Sequence, residues 1–124
     1  AEDNALLSAN EIMVREIVPL FDAYAELLKS KGKKCEVKFH EANIEIYPRR
    51  RPSAEFFNGL LGVPGVSDYY LRLENEGDGW ILRSRPRLDG KSTGYDNWHV
   101  RIPHSSKFAK DVESFLQQFI RMTV

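Results

Sequence analysis

Apolar positions recur along this chain with two different periods, and the switches between them predict its elements. Ile12, Ile17, Leu20, Phe21, Tyr24, Leu27 and Leu28 fall at helical spacing, and Ser8-Ala9-Asn10-Glu11 before them has the spacing of a capping box. Pro19 lies inside this run. Lacking an amide hydrogen and clashing with the preceding turn, it predicts a kink, or a restart with Pro19 in the first turn. Lys29, Lys31 and Gly32 predict the stop, with cations at the negative end of the dipole and a glycine free to cap left-handed.

From Cys35 to Tyr47 the period drops to two. Cys35, Val37 and Phe39 share one side with Ile44 and Ile46, while Glu36, Lys38, His40, Glu45 and Tyr47 take the other. This predicts a hairpin turning near Glu41-Ala42-Asn43, with Lys38 near Glu45. Pro48 and Pro52 bracket Arg49, Arg50 and Arg51 and hold that segment out of a ladder. Pro52-Ser53 then suits a helix start, and Ala54 to Leu61, with Phe56, Phe57, Leu60 and Leu61 apolar, predicts a short helix ended by Gly62-Val63-Pro64-Gly65.

Asp68 to Ile102 predicts a three-strand meander. Tyr69, Leu71, Leu73, Trp80, Leu82, Trp98, Val100 and Ile102 form its inner face. Tyr70, Arg72, Glu74, Arg83, Arg85, Arg87, Asn97, His99 and Arg101 form the outer one. Glu76-Gly77-Asp78-Gly79 makes a tight reversal, and face consistency requires an even number of loop residues there. In such registers Arg72 lies opposite or diagonal to Arg83 and Arg85. Leu88 to Tyr95 predicts a longer polar loop. After Pro103, with Ser105 or Ser106 as cap, Phe108, Val112, Phe115, Leu116, Phe119 and Ile120 give the cleanest helical stripe in the chain.

The predicted order is α-β-β-α-β-β-β-α: a single α+β domain over residues 1–124, with a five-stranded antiparallel sheet and helices mainly on one face. That order is similar to that of the roadblock and longin type of small dimeric adaptor and, less closely, of secretion chaperones. The similarity is one of element order, carried by no motif.

Composition narrows the chemistry. The chain has 124 residues, 42% hydrophobic and 29% charged, as expected of one folded domain. Lys plus Arg balances Asp plus Glu at 18 each, so net charge predicts neither a nucleic-acid nor a membrane partner. A single cysteine, Cys35, forms no intrachain disulfide and suits a reducing, cytoplasmic setting; it reads as a small buried hydrophobe. No apolar run reaches the roughly 20 residues of a membrane helix, and no charged start precedes an apolar core as in a signal peptide.

Gly90-Lys91-Ser92-Thr93 resembles the end of a phosphate-binding loop, but position 85 is Arg85 where that motif needs glycine, and a strand follows where it needs a helix. His40, His99 and His104 lack the short spacing of a metal pair, so Glu41, Glu45 and Glu74 gain no partner for a metal site and no cofactor is predicted. Ser84 faces the apolar side, away from the histidines, so no catalytic triad assembles. Glu74 and Glu76 flank a turn as solvated carboxylates.

The arginines remain. Arg72, Arg83, Arg85, Arg87 and Arg101, with Arg49, Arg50 and Arg51 nearby, are interleaved with Tyr47, Tyr70 and His99. Such a surface predicts a non-enzymatic protein-interaction or adaptor domain, with self-association among its uses. Single-stranded RNA or DNA binding by the same face is the first alternative. The second is a small enzyme or ligand-binding domain with a pocket near Phe56 lined by Trp80, Trp98 and Tyr69. Against all three stands a plain solvated face in which Glu36, Glu45, Glu74 and Asp96 neutralise the arginines.

Overall fold

The structure, a computed structural model, describes residues 2–48, 50–59, 67–88, 91–92, 96 and 98–123. Its first helix, α1 (Glu2–Ile12), begins upstream of Ser8, which therefore lies inside the helix and not at its cap. A π-helical turn, Met13–Ile17, leads into α2 (Val18–Ser30), with Pro19 in its first turn. The amide of Val18 reaches back to the Met13 carbonyl, which widens the helix just where Pro19 would otherwise collide with the turn before it. Met13 and Ile17 stay buried throughout, so the widened turn keeps the apolar stripe aimed at the sheet. At the other end Gly32 takes φ +82°, Gly32 N–H donates to Lys29 O, and Lys33 N–H donates to Leu28 O. These two bonds make the left-handed stop that glycine permits.

Six strands follow: β1 (Cys35–His40), β2 (Ser53–Asn58), β3 (Ser67–Glu76), β4 (Gly79–Leu88), the two-residue β5 (Lys91–Ser92) and β6 (Trp98–Pro103). All pairings are antiparallel, in the order β1-β2-β3-β4, with β5 and β6 both on the far edge of β4. The α+β class, the antiparallel sheet with five main strands and the helices over one face agree with the sequence reading. The β3–β4 reversal holds two residues, Gly77 and Asp78, with Gly77 at φ +70°. Pro86 stands between the stretch of β4 that pairs with β6 (79–84) and the stretch that pairs with β5 (87–88). A residue without an N–H is tolerated at such a change of partner.

Leu88 to Tyr95, expected as a loop, contains the short strand β5 paired with β4, and two other segments change type. Ser53–Asn58 is strand, not helix, and all six of its residues are buried. Burial on both faces puts apolar Phe57 on the same side as Glu55 and breaks the alternation, and Phe56 and Phe57 with Leu60 and Leu61 imitate helical spacing. The element order thus departs from that of roadblock and longin adaptors. Second, Ile44 to Tyr47 is a turn and no strand. Asn43 Oδ1 accepts from the amides of Glu45 and Ile46, and Asn43 O accepts from Tyr47 at 2.7 Å, so the backbone bonds locally instead of in a ladder. Lys38 consequently faces Glu55 rather than Glu45.

The helices α2 and α3 (Phe108–Thr123) pack on the inner face. Phe56 on β2 is fully buried between Phe21 of α2 (5.8 Å, edge-on) and Phe119 of α3 (6.2 Å, edge-on). Trp80 stacks on Phe108 at 4.6 Å and Trp98 leans on Phe115 at 5.9 Å. Tyr24 joins the helices by donating to Glu113 and accepting from Gln117.

Phe56→Ala would empty the point shared by both helices, at a cost of about 3–5 kcal/mol in urea unfolding. Burial pushes the Cys35 thiol above its ordinary value, with Lys29 pulling slightly the other way. Folded protein therefore holds this proton to higher pH than unfolded protein. The associated stability is present below the unfolded thiol's pKa and fades as pH rises toward the folded value. Iodoacetamide should accordingly label native Cys35 at least about tenfold more slowly than the urea-unfolded chain at pH 8.

Candidate functional site: the outer sheet face and its bordering loop

Strand register sets the outer face in rows. Lys38, Glu55, Arg72, Arg83 and His99 lie in one row across β1, β2, β3, β4 and β6, and His40, Ser53, Glu74, Ile81 and Arg101 in the next. Arg72 and Arg83 are direct cross-strand partners, an arrangement that like charges disfavour. Glu74 relieves it. Its Oε2 lies 3.3 Å from Arg72 Nε and 4.0 Å from Arg83 Nη1.

The pairing extends from edge to edge. Glu55 meets His40 Nε2 at 2.7 Å and Arg72 Nη1 at 3.4 Å. Glu76 meets Arg83 Nη2 at 3.7 Å and Arg101 Nη1 at 3.1 Å. Asp96 accepts from Arg85 Nε at 2.6 Å and lies 3.6 Å from Arg83 Nε and 3.8 Å from His99 Nδ1. Hydrogen bonds to Asp96 first, and to Tyr70 second, raise the Arg85 pKa and hold its guanidinium more firmly protonated than usual. Arg83 Nε is buried and makes no hydrogen bond among the described residues; at 3.6 Å the Asp96 carboxylate offers it charge but not a bond. Glu55, Glu74, Glu76 and Asp96 thus answer Arg72, Arg83, Arg85 and Arg101.

Tyr70 stands on this face but is buried and stacked on Phe57 (5.3 Å between centroids), with Lys38 over the Phe57 ring at 5.3 Å. Arg87 occupies the β4 position opposite Asp68, and Arg49 lies outside the described residues. Arg51 borders Glu74, Glu76 and Gly77 at one end of the face. His40 and His99 both lie on the outer face, but four strand spacings of about 4.8 Å separate them, too far to share an ion. No group of three or more potential metal ligands gathers among the described residues.

Beside this end of the face, the β1–β2 loop projects Ile46 (65% exposed) and Tyr47 (51% exposed). The Arg50 guanidinium lies 4.2 Å over the Tyr47 ring, and its Nε and Nη2 donate to Glu41 O. Asn10 of α1 clasps the loop's base, donating to Ala42 O at 2.8 Å and accepting from Ala42 N–H at 2.7 Å. Sequence reasoning nominated Tyr47 and Arg50 but turned Ile46 inward. It also missed Glu55, Glu76 and Phe57 as members of the outer face, because it gave 54–61 to a helix and held Glu76 to be solvated beside a turn. Within 53–58 only Ser53-Ala54-Glu55-Phe56 alternates, too short a run to mark a strand before Phe57 breaks it.

Near Phe56, where a pocket was expected, the rings of Phe21 and Phe119 pack edge-on against it. A shallow cleft of about 250 Å³ lies beside Trp80, bordered by Ala9 and Ile12 of α1, with Asn75, Asp78 and His104 around it. No helix among the described residues is long and apolar enough to cross a membrane. No protein-family model, curated protein or solved structure matches the chain.

Glu74→Gln keeps the shape of the residue but leaves Arg72 and Arg83 facing each other without a shared anion. It should cost about 1–2 kcal/mol in urea unfolding at low salt, and less at about 1 M salt. Glu36→Gln, in a half-exposed pair, should cost no more than about 0.5 kcal/mol.

Proposed function

We propose that the chain is a non-enzymatic protein-interaction module that grips a partner protein with the Ile46–Arg50 loop and the adjoining charged end of the outer sheet face. The observation carrying this reading is an apolar-aromatic knob that is exposed and yet held in shape. Ile46 and Tyr47 give the fold little burial at 65% and 51% exposure, while Asn43, Asn10 and the Arg50–Glu41 bonds hold the loop around them. A preformed loop loses little further freedom on binding, and tyrosine and arginine are the residues in which binding energy concentrates. Arg51 and Glu76 continue the surface with charges of both signs, which favours a partner of mixed charge over a polyanion. A reducing, cytoplasmic setting fits the one cysteine, free and buried.

Nucleic-acid binding by the sheet face draws less support. Its arginines are matched by carboxylates, and the Phe57 and Tyr70 rings, at 6% and 5% exposure, offer bases no open face for stacking.

The test is photo-crosslinking from position 47 in cell extract, identification of the captured protein, and affinity measurement with that protein purified. Tyr47→Ala and Arg50→Ala should each weaken binding about tenfold or more, with Met122→Ala as the exposed apolar control that changes nothing. Equal affinity for wild type and Tyr47→Ala would refute the reading. So would tight, salt-dependent binding of mixed-sequence RNA.

A further inference from the structure

Strand β1 ends the sheet, pairing among the described strands with β2 alone. Gly59 N–H donates to Lys34 O at 3.0 Å and extends the β1–β2 ladder, so the even-numbered residues of β1 turn their backbone groups inward to β2. Backbone groups alternate in an antiparallel ladder, so Cys35, Val37 and Phe39 present N–H and C=O groups to the open edge. This is a short row of unmet donors and acceptors with a side-chain code beside it.

We propose that β1 pairs antiparallel with β1 of a second copy of this chain, about a two-fold axis through Val37, joining two sheets into one. The charges select that register. With Val37 opposite Val37, Glu36 of each copy faces Lys38 of the other across a close, non-hydrogen-bonded pair, twice per dimer. A slip of two residues one way sets Glu36 against Glu36; the other way sets Lys38 against Lys38. A slip of one residue turns apolar positions onto the polar face. Glu36 and Lys38 are half-exposed and 3.9 Å apart, with Lys38 also over the Phe57 ring, so each can turn to a partner across the edge. The two-fold also sets Cys35 against Phe39, extending the cover over the partly buried Val37 and Phe39, and closes about six backbone hydrogen bonds. At its ends Lys34 meets His40, whose ring is already held by Glu55.

The opposite edge lacks this code. On the outer face of β6 stand His99 and Arg101 with no acid, so no self-pairing there sets a carboxylate against a base. The proposed pairing uses no residue of the Ile46–Arg50 loop, so the two proposals fail independently.

Sedimentation equilibrium of the full chain from about 1 to 500 µM should show a monomer–dimer equilibrium. Glu36→Lys and Lys38→Glu should each raise the dimer Kd about tenfold, and the double exchange Glu36→Lys/Lys38→Glu should restore it to within about threefold. Val37→Pro removes an N–H aimed at the open edge, not at β2, and should give a monomer whose circular dichroism matches wild type. Should that variant misfold, the charge exchange decides alone. Tyr47→Ala should leave the dimer intact. A chain monomeric throughout the range overturns the proposal, as does a dimer lost with Tyr47→Ala or one unmoved by the single charge changes or not restored by the exchange.

Discussion

Phe56 is the contact on which this architecture depends. It projects from β2, near the middle of the sheet, into the place where α2 and α3 come together, with Phe21 on one side and Phe119 on the other. Two helices from opposite ends of the chain are thereby fastened to one strand. The π turn at Met13–Ile17 serves the same contact, since it absorbs Pro19 without rotating Phe21 out of the core. Aromatic rings meeting edge to face suit such a junction, because each buries a large apolar area while fixing the angle of its neighbour.

A strand so placed imposes a condition on its other side. Glu55 and Phe57, alternating with Ala54 and Phe56, are buried on the outer face. A buried carboxylate is tolerable only with partners, and Glu55 has two, His40 and Arg72. From there the pattern propagates by necessity. Arg72 faces Arg83, their repulsion calls for Glu74, and Arg83 in turn lies among Glu76 and Asp96. Arg72, Arg83, Arg85 and Arg101 each lie beside a carboxylate of the same face, in a chain of alternating charge.

Two features at the margins of the sheet stand apart from this network. The β1–β2 loop holds Ile46 and Tyr47 in water, and the outer edge of β1, which pairs with no strand but β2 among the described residues, turns three residues' worth of backbone groups away from the sheet. Both are locally ordered, the loop by asparagine side chains and the edge by its ladder to β2. Preformed loops and strand edges can meet another chain at small cost in conformational entropy.

The sequence by itself determined the α+β class, the two flanking helices, the restart at Pro19, the cap at Gly32, the two-residue reversal at Gly77-Asp78 and the inner face of the meander. Each of these follows from local chemistry: a missing amide hydrogen, a positive φ, a period of two or of 3.6. Tertiary structure alone decided that Ser53–Asn58 is a strand, since burial on both faces erases the alternation by which a strand is read. It decided that Ile46 faces water, because the Asn43 side chain competes with a ladder for the backbone. And it decided the standing of the arginines. Their number is written in the chain, but whether a guanidinium is spent on a carboxylate or left for a partner depends on which strands lie side by side.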